Sequence, residues 1–300
     1  MELRKCIVLG ASGYLGLHLA NYLHSKGVLV DCYDYNVKDT LTSIACNAID
    51  VNDVDSLKKI DWNVDAVFHF AGLTGTHASF DNYVDYVRVN EIGLLNVLNA
   101  IKNSGSKPRF ILPSTRLVYK GNEAPLKEDA PKEAKTIYAA NKIAGELMIE
   151  AFSNMFEMDY TIFRICVPYG NKFGSSYSYG TIGFFIKQSK EIGAIRLFGD
   201  GELRRTFTHV DDLCKQFFIV SQLDTSRNQA FNTAGETFSL KDVASLVARK
   251  YDARLEFVQW PEKDLKIESG HTVFNSEKIE SIMSESLECN LVSWINELKT

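Results

Sequence analysis

A doubly wound α/β fold, a parallel sheet with helices on both faces and a smaller mixed α/β domain after it, is predicted by three features. Short continuous apolar runs alternate with longer amphipathic stretches through the first half of the chain. A glycine triplet, Gly10, Gly13 and Gly16, follows the first apolar run. After about Tyr169 the alternation gives way to a stretch rich in glycine, serine and aromatic residues.

The elements follow in order. Cys6–Leu9 has the composition of a buried strand, and Tyr14–Ser25 places Leu15, Leu19, Tyr22 and Leu23 on one helical face. Val28–Tyr33 and Val64–Phe70 read as strands. Tyr83–Lys102 reads as one long helix carrying Val87, Leu94, Leu95, Leu98 and Ile101. Phe110–Pro113 is a further strand, Ile137–Met155 a helix, and Asp159–Val167 a strand. Beyond the change of pattern, helices are expected near Phe184–Lys190, Asp211–Gln222, Ser239–Tyr251 and Leu291–Leu298, with short strands at Ile195–Phe198 and Phe207–Val210. The expected division is 1–168 and 169–300. It is not one clean cut, because Ala230–Asn232 has the character of a strand that could return to the first sheet.

The chain has 300 residues, 45% hydrophobic and 24% charged, enough apolar material for one large core or two smaller ones. A net charge of −5 gives no basic excess for a nucleic acid or an anionic membrane, so an anionic ligand must meet local basic residues. Six scattered cysteines with no CxxC pair fit reduced thiols rather than a disulfide framework or a metal site. With no signal-peptide layout and no apolar run long enough to span a bilayer, the expected location is the cytoplasm.

Gly10-Ala-Ser12-Gly13-Tyr14-Leu15-Gly16 lies between the first strand and the first helix, where a dinucleotide pyrophosphate is held in a Rossmann-type fold. Gly10 permits the tight turn, Gly13 lets backbone approach phosphate, and Gly16 lets helix pack on strand. The helix N-terminus adds free N–H groups and partial positive charge. Asp34, at the end of the second strand, is placed to accept bonds from ribose hydroxyls. It would repel a 2′-phosphate, and Tyr35-Asn36 supply no arginine to bind one. NAD is therefore expected over NADP.

Tyr138 and Lys142 lie four apart, on one face of a helix. A nearby cation favours phenolate and draws the tyrosine towards the working range for proton transfer. Ser114-Thr115 follows the strand Phe110–Leu112, so its hydroxyls emerge at the carboxyl end of the sheet, where open α/β folds bind ligands.

These motifs occur in order with Asp50-Val51, Phe68-His69-Phe70-Ala71-Gly72-Leu73, Asn90, Tyr119, Arg164, Tyr169-Gly170, Gly199-Asp200-Gly201, Arg205 and Val210-Asp211-Asp212. Over roughly residues 5–240 the chain resembles the extended short-chain dehydrogenase/reductase family, in particular its nucleotide-sugar epimerases, dehydratases and reductases, with UDP-glucose 4-epimerase as the type. The resemblance implies that Asp50 and Val51 flank adenine, that Phe70, Ala71 and Gly72 line the cofactor, and that Asn90 supports the fourth strand. It also implies a catalytic group of Thr115, Tyr138 and Lys142, with Lys142 bonding the nicotinamide ribose. Thr74, Thr115, Tyr138, Val167 and Arg205 would meet the substrate, a nucleotide diphosphate sugar. Arg205 would take the diphosphate, which suits the guanidinium fork.

Within that family, 4,6-dehydratases place Asp-Glu after the catalytic threonine. Here the positions hold Arg116-Leu117, which disfavours dehydratase and decarboxylase. An NAD-dependent epimerase is expected ahead of an NAD(P)H-dependent reductase of 4-keto-6-deoxy sugars, with a non-catalytic cofactor-binding scaffold third. Val167 replaces a frequent asparagine and Thr206 a usual aspartate. Gly174–Gly183, with Tyr177 and Tyr179, could line the sugar pocket or form a loop, and His209 could meet the nucleotide or serve the fold. No metal is expected. Apolar residues on more than one face of the two long helices, among them Ile92, Val97, Ile143, Leu147, Met148 and Ile149, lead to the expectation of a homodimer.

Overall fold

Cys6, Ile7, Val8 and Leu9 are all buried, as a strand flanked by neighbours and covered on both faces requires. A computed structural model describes residues 2–38, 44–173, 178 and 180–299. In chain order the first half holds β1 (Lys5–Leu9), α1 (Tyr14–Ser25), β2 (Leu29–Asp34), β3 (Cys46–Ala48), α2 (Val54–Leu57), β4 (Ala66–His69), α3 (Ala78–Asp81) and α4 (Tyr83–Val87). A π-helical turn, Arg88–Ile92, leads into α5 (Gly93–Ser104), followed by β5 (Arg109–Thr115), a 3₁₀ turn at Arg116–Val118 and α6 (Ile137–Phe156). Then come β6 (Tyr160–Ile165), β7 (Val167–Tyr169), α7 (Gly180–Ile192), β8 (Ala194–Phe198), β9 (Arg204–His209) and α8 (Val210–Gln222). The chain closes with β10 (Gln229–Asn232), β11 (Glu236–Ser239), α9 (Leu240–Tyr251), β12 (Arg254–Val258), α10 (Glu262–Ile267), α11 (Glu277–Glu280) and α12 (Leu291–Glu297).

Seven parallel strands form the central sheet in the order β10-β6-β5-β4-β1-β2-β3. The expected doubly wound α/β fold is borne out. After β1 the chain builds outward through β2 and β3, then crosses to β4 on the other side. The switch point therefore opens beside the carboxyl end of β1, where such sheets bind ligands. Two smaller sheets, β11-β9-β7 and β12-β8, lie outside the central one. They pack with α7, α9 and α12 around a separate core containing Phe185, Leu197, Phe207, Val247 and Leu291.

Two expected elements are subdivided. The helix read as Tyr83–Lys102 contains the π turn, which buries Asn90 and re-aims the residues before it. The strand read as Asp159–Val167 breaks at Cys166: β6 stays in the central sheet while β7 joins β9 in another. No helix among the described residues is long and apolar enough to cross a membrane.

Candidate functional site

The glycine loop is a tight turn clamped to the neighbouring strand. Gly10 has a φ of 81°, and its N–H donates to the Tyr33 carbonyl at 2.8 Å. A Cβ on Gly10 would sit 2.5 Å from the Ala71 nitrogen, and one on Gly16 would strike the Gly10 carbonyl, so neither position accepts a side chain. Gly13 precedes α1 in an extended conformation, without a side-chain cap and with no acid in the first helical turn. The N–H groups at this helix start thus face the loop with no carboxylate competing for them. Asp34 braces the loop: its Oδ2 accepts from Ser12 N and its Oδ1 from Asn36 N, both at 2.9 Å.

Beside the loop runs a cavity of about 610 Å³. Its walls bring together nine of the expected cofactor residues: Gly10, Ser12, Gly13, Asp34, Asp50, Val51, Phe70, Ala71 and Gly72. Lys38, Asp85 and Arg88 also line it. Sequence reading did not select them, because they come from a loop, from α4 and from the start of the π turn, and carry no motif. Tyr14 turns away from the loop and donates its hydroxyl to the Gly170 carbonyl at 2.6 Å, while Leu15 packs against the core. Asn90 clamps the chain after β4 by pairing with both Leu73 N and Leu73 O, at 2.7 and 3.0 Å.

Thr115 ends β5, and its Oγ1 accepts from Leu117 N at 3.3 Å. The Thr136 hydroxyl caps α6 by accepting from Ala139 N at 3.1 Å, which fixes Tyr138 in the first turn and Lys142 one turn on. The Lys142 ammonium lies 5.9 Å from the Tyr138 ring centre and donates to the Pro113 carbonyl at 2.9 Å. Burial, only partly offset by Glu146 a further turn along α6, pulls the lysine down to about 8.

Glu146 is fully buried beneath this pair. Its two oxygens accept from Ser114 Oγ at 2.6 Å, Lys132 Nζ at 2.8 Å, and Arg164 Nε and Nη2 at 2.9 and 2.8 Å. Burial pushes the Glu146 carboxyl up, but these bonds, led by Arg164, outweigh it and hold it below the usual range. Arg164 also donates to Tyr119 Oη, which donates in turn to Asn232 Oδ1 of β10, both at 2.7 Å. The Tyr138–Lys142–Glu146 spacing was available in the sequence, but Glu146 on its own reads as a solvated acid.

The structure does not bring Val167 or Arg205 to the large cavity. Val167 is buried in β7 opposite Phe207. Arg205 is buried, with Nη2 on Glu268 Oε1 at 2.6 Å and Nη1 donating to the carbonyls of Gly270 and Arg204. Burial and the neighbouring Arg116 take its guanidinium down to about 10. The Thr74 carbonyl accepts from Tyr86 Oη at 2.5 Å, which pins the segment after β4. His209 caps α8, and its ring packs on Tyr169 and Trp294. Tyr177 and Tyr179 lie outside the described residues.

Comparison with known proteins gives a consistent result. Residues 6–234 match the family model described as the NAD dependent epimerase/dehydratase family. A UDP-glucuronate 4-epimerase of Thermodesulfobacterium geofontis is 27% identical over 282 residues, covering 87% of this chain and 85% of that protein. The chain spans about half of a plant relative, UDP-glucuronate 4-epimerase 4 of Arabidopsis thaliana: 27% identity over 237 residues, 73% of this chain and 54% of that one. Among solved structures, a Bacillus cereus UDP-glucuronic acid 4-epimerase, in complex with UDP-glucuronic acid and NAD, superimposes with a TM-score of 0.84 at 23% identity, over 97% of this chain and 96% of the other. At that identity the likeness speaks for the fold. The family model spans well over half of the chain, and this protein belongs to the NAD dependent epimerase/dehydratase family.

Proposed function

We propose that this chain is an NAD-dependent nucleotide-sugar 4-epimerase. The observation that carries the reading is the Tyr138–Lys142 pair on a capped helix start, with Lys142 bonded to Pro113 O near the end of β5 and lining a small cavity that shares Ala71 with the large one. The cavity suits a dinucleotide: glycine backbone and helix N–H groups where phosphates need donors, a carboxylate where ribose hydroxyls need an acceptor, and apolar Val51 and Phe70 for flat rings. Gly10, Ser12, Gly13 and Gly16 would hold the pyrophosphate, Asp34 the adenosine ribose, Asp50 and Val51 the adenine, and Lys142 the nicotinamide ribose. When bound, NAD supplies reversible two-electron chemistry at one sugar carbon.

The protein's own residues handle the proton. Tyr138, as phenolate beside the Lys142 ammonium, takes the proton of the sugar hydroxyl and later returns it. The Thr115 hydroxyl donates to the same sugar oxygen and fixes its distance from the phenol. Oxidation and return at one carbon consume no external reductant, which suits a cofactor kept between turnovers.

Two observations favour a sugar bearing a carboxylate. The relatives named above are UDP-glucuronate epimerases. Arg116, next in the chain to Thr115, makes one long bond to Thr272 Oγ1 at 3.3 Å, and among the described residues no carboxylate lies within ion-pair distance of it. Its remaining donors match an anionic substituent.

The test is mass spectrometry of small molecules released on denaturing the purified protein, followed by incubation with UDP-glucuronate and with UDP-glucose. Near-stoichiometric NAD or NADH and a C4 epimer of the uronate are expected. A protein that releases no cofactor, or releases NADPH, and leaves both sugars unchanged would favour the ketoreductase instead.

We also propose a homodimer. Val97 and Ile149 are buried in this chain's own core, but Tyr83, Val84, Ile92 and Leu147 are exposed on the α4–α5 and α6 surfaces, where a second subunit would cover them. Light scattering at micromolar concentration should give twice the chain mass; the mass of a single chain would rule the dimer out.

A further inference from the structure

Next to the Lys142 side chain, on the side facing the α5 layer, lies a small internal cavity of about 10 Å³. Its polar lining comes from His69, Asn90, Asn141 and Lys142, and its apolar walls from Leu94 and Leu112. The amide of Asn90 is committed to Leu73, and Nδ2 of Asn141 to Glu91 Oε1 at 2.5 Å. That leaves His69 Nδ1 and Asn141 Oδ1, both buried and both without a hydrogen-bond partner. Two such atoms at one cavity are uncommon, because an unpaired buried polar group costs about 1–3 kcal/mol.

We propose that His69 and Asn141 are positioning residues for Lys142, forming with it an internal site for one water molecule that holds the lysine charged and aimed. The complement is that of water. Lys142 Nζ has donors left after its bond to Pro113 O, His69 Nδ1 and Asn141 Oδ1 can each accept, and the volume is at the lower limit for one molecule. A water donating to both acceptors presents its oxygen to the ammonium.

The surroundings agree. Burial, and after it the charge of Lys142, take His69 down to about 3, so the ring is neutral and its Nδ1 can accept. The elements packed against α6 contribute Glu91, which binds Asn141, Arg164, which is held on Glu146, and Arg116. Glu146 is the acid that draws the ammonium up, and the water site adds a second, uncharged support.

The inference takes Lys142 in the role proposed above, but it can be read without turnover. The experiment is a pH titration of ¹³C-lysine-labelled full-length protein by NMR, with the Lys142 signal assigned through Lys142→Arg. Asn141→Leu and His69→Leu are expected to lower the Lys142 pKa by roughly one pH unit, the size of one lost bond to a charged group, while His69→Gln, which keeps an acceptor, restores most of it. The alkaline limb of kcat should move by the same amount with KM unchanged. In the unsubstituted protein, where no variant can misfold, a long-lived water should show cross-relaxation to His69. Unshifted Lys142 in both leucine variants, or no such water, overturns the proposal. An inactive protein with a shifted Lys142 would count against the epimerase and spare this site.

Discussion

Replacing Tyr138 with phenylalanine lowers kcat by about 10²- to 10⁴-fold, the range that a positioned acid–base group contributes. Phenylalanine keeps the ring and its contact with Lys142, and Thr136 still caps the helix, so the cofactor cavity is unchanged. Cofactor released from the denatured variant should match that of the unsubstituted protein. Because burial takes Lys142 to about 8, the unsubstituted enzyme should also lose rate as pH rises past that value and the ammonium beside the phenolate disappears. A phenylalanine variant within tenfold of full activity would mean that another group, with Thr115 the nearest candidate, moves the proton.

Glu146→Gln is expected to destabilise the fold by about 3 kcal/mol or more, read by urea unfolding. Glutamine fills the same volume, so no cavity accounts for the loss. What changes is the charge facing Arg164 and Lys132: the guanidinium, itself buried, keeps its burial penalty and loses its counter-ion. The sign with pH follows. Glu146 is held below the usual carboxylate range, so its contribution is present above that range and fades as pH falls through the folded value. The unsubstituted protein should therefore lose stability in acid more steeply than the variant. A difference under 1 kcal/mol at neutral pH would show that Arg164 is satisfied by Tyr119 and the Glu128 carbonyl alone.

Local signals carried much of this far. Tyr14–Ser25 was readable to the residue, because its apolar stripe begins directly after a glycine turn and stops at Lys26-Gly27. The glycine loop and Asp34 were readable because their spacing reflects one turn between two adjacent strands. Less legible were features set by distant partners. The three-residue strand β3 carries too little pattern to announce itself, and it exists because β2 offers an edge. The break at Cys166 is invisible locally, since Ile165, Cys166 and Val167 are all buried; what separates them is which sheet each pairs with. Arg205 reads as a free cation until Glu268 and Gly270 fold back onto it. The water-sized cavity is less legible still, because it depends on His69, Asn141 and Lys142 converging from a strand and a helix.

The return of β10 to the central sheet bears on how the molecule is made. Phe231 lies in the core beside Phe163 and Phe217, and Asn232 holds the tyrosine that braces Arg164. A ribosome that has released only the first six strands has therefore delivered a sheet with an open hydrophobic edge, next to an arginine whose bracing tyrosine still lacks its own partner, Asn232. The cofactor half must wait, partly formed and prone to association, until more than two thirds of the chain has emerged. Cutting the gene after β6 to isolate that half would capture the protein at its most aggregation-prone moment.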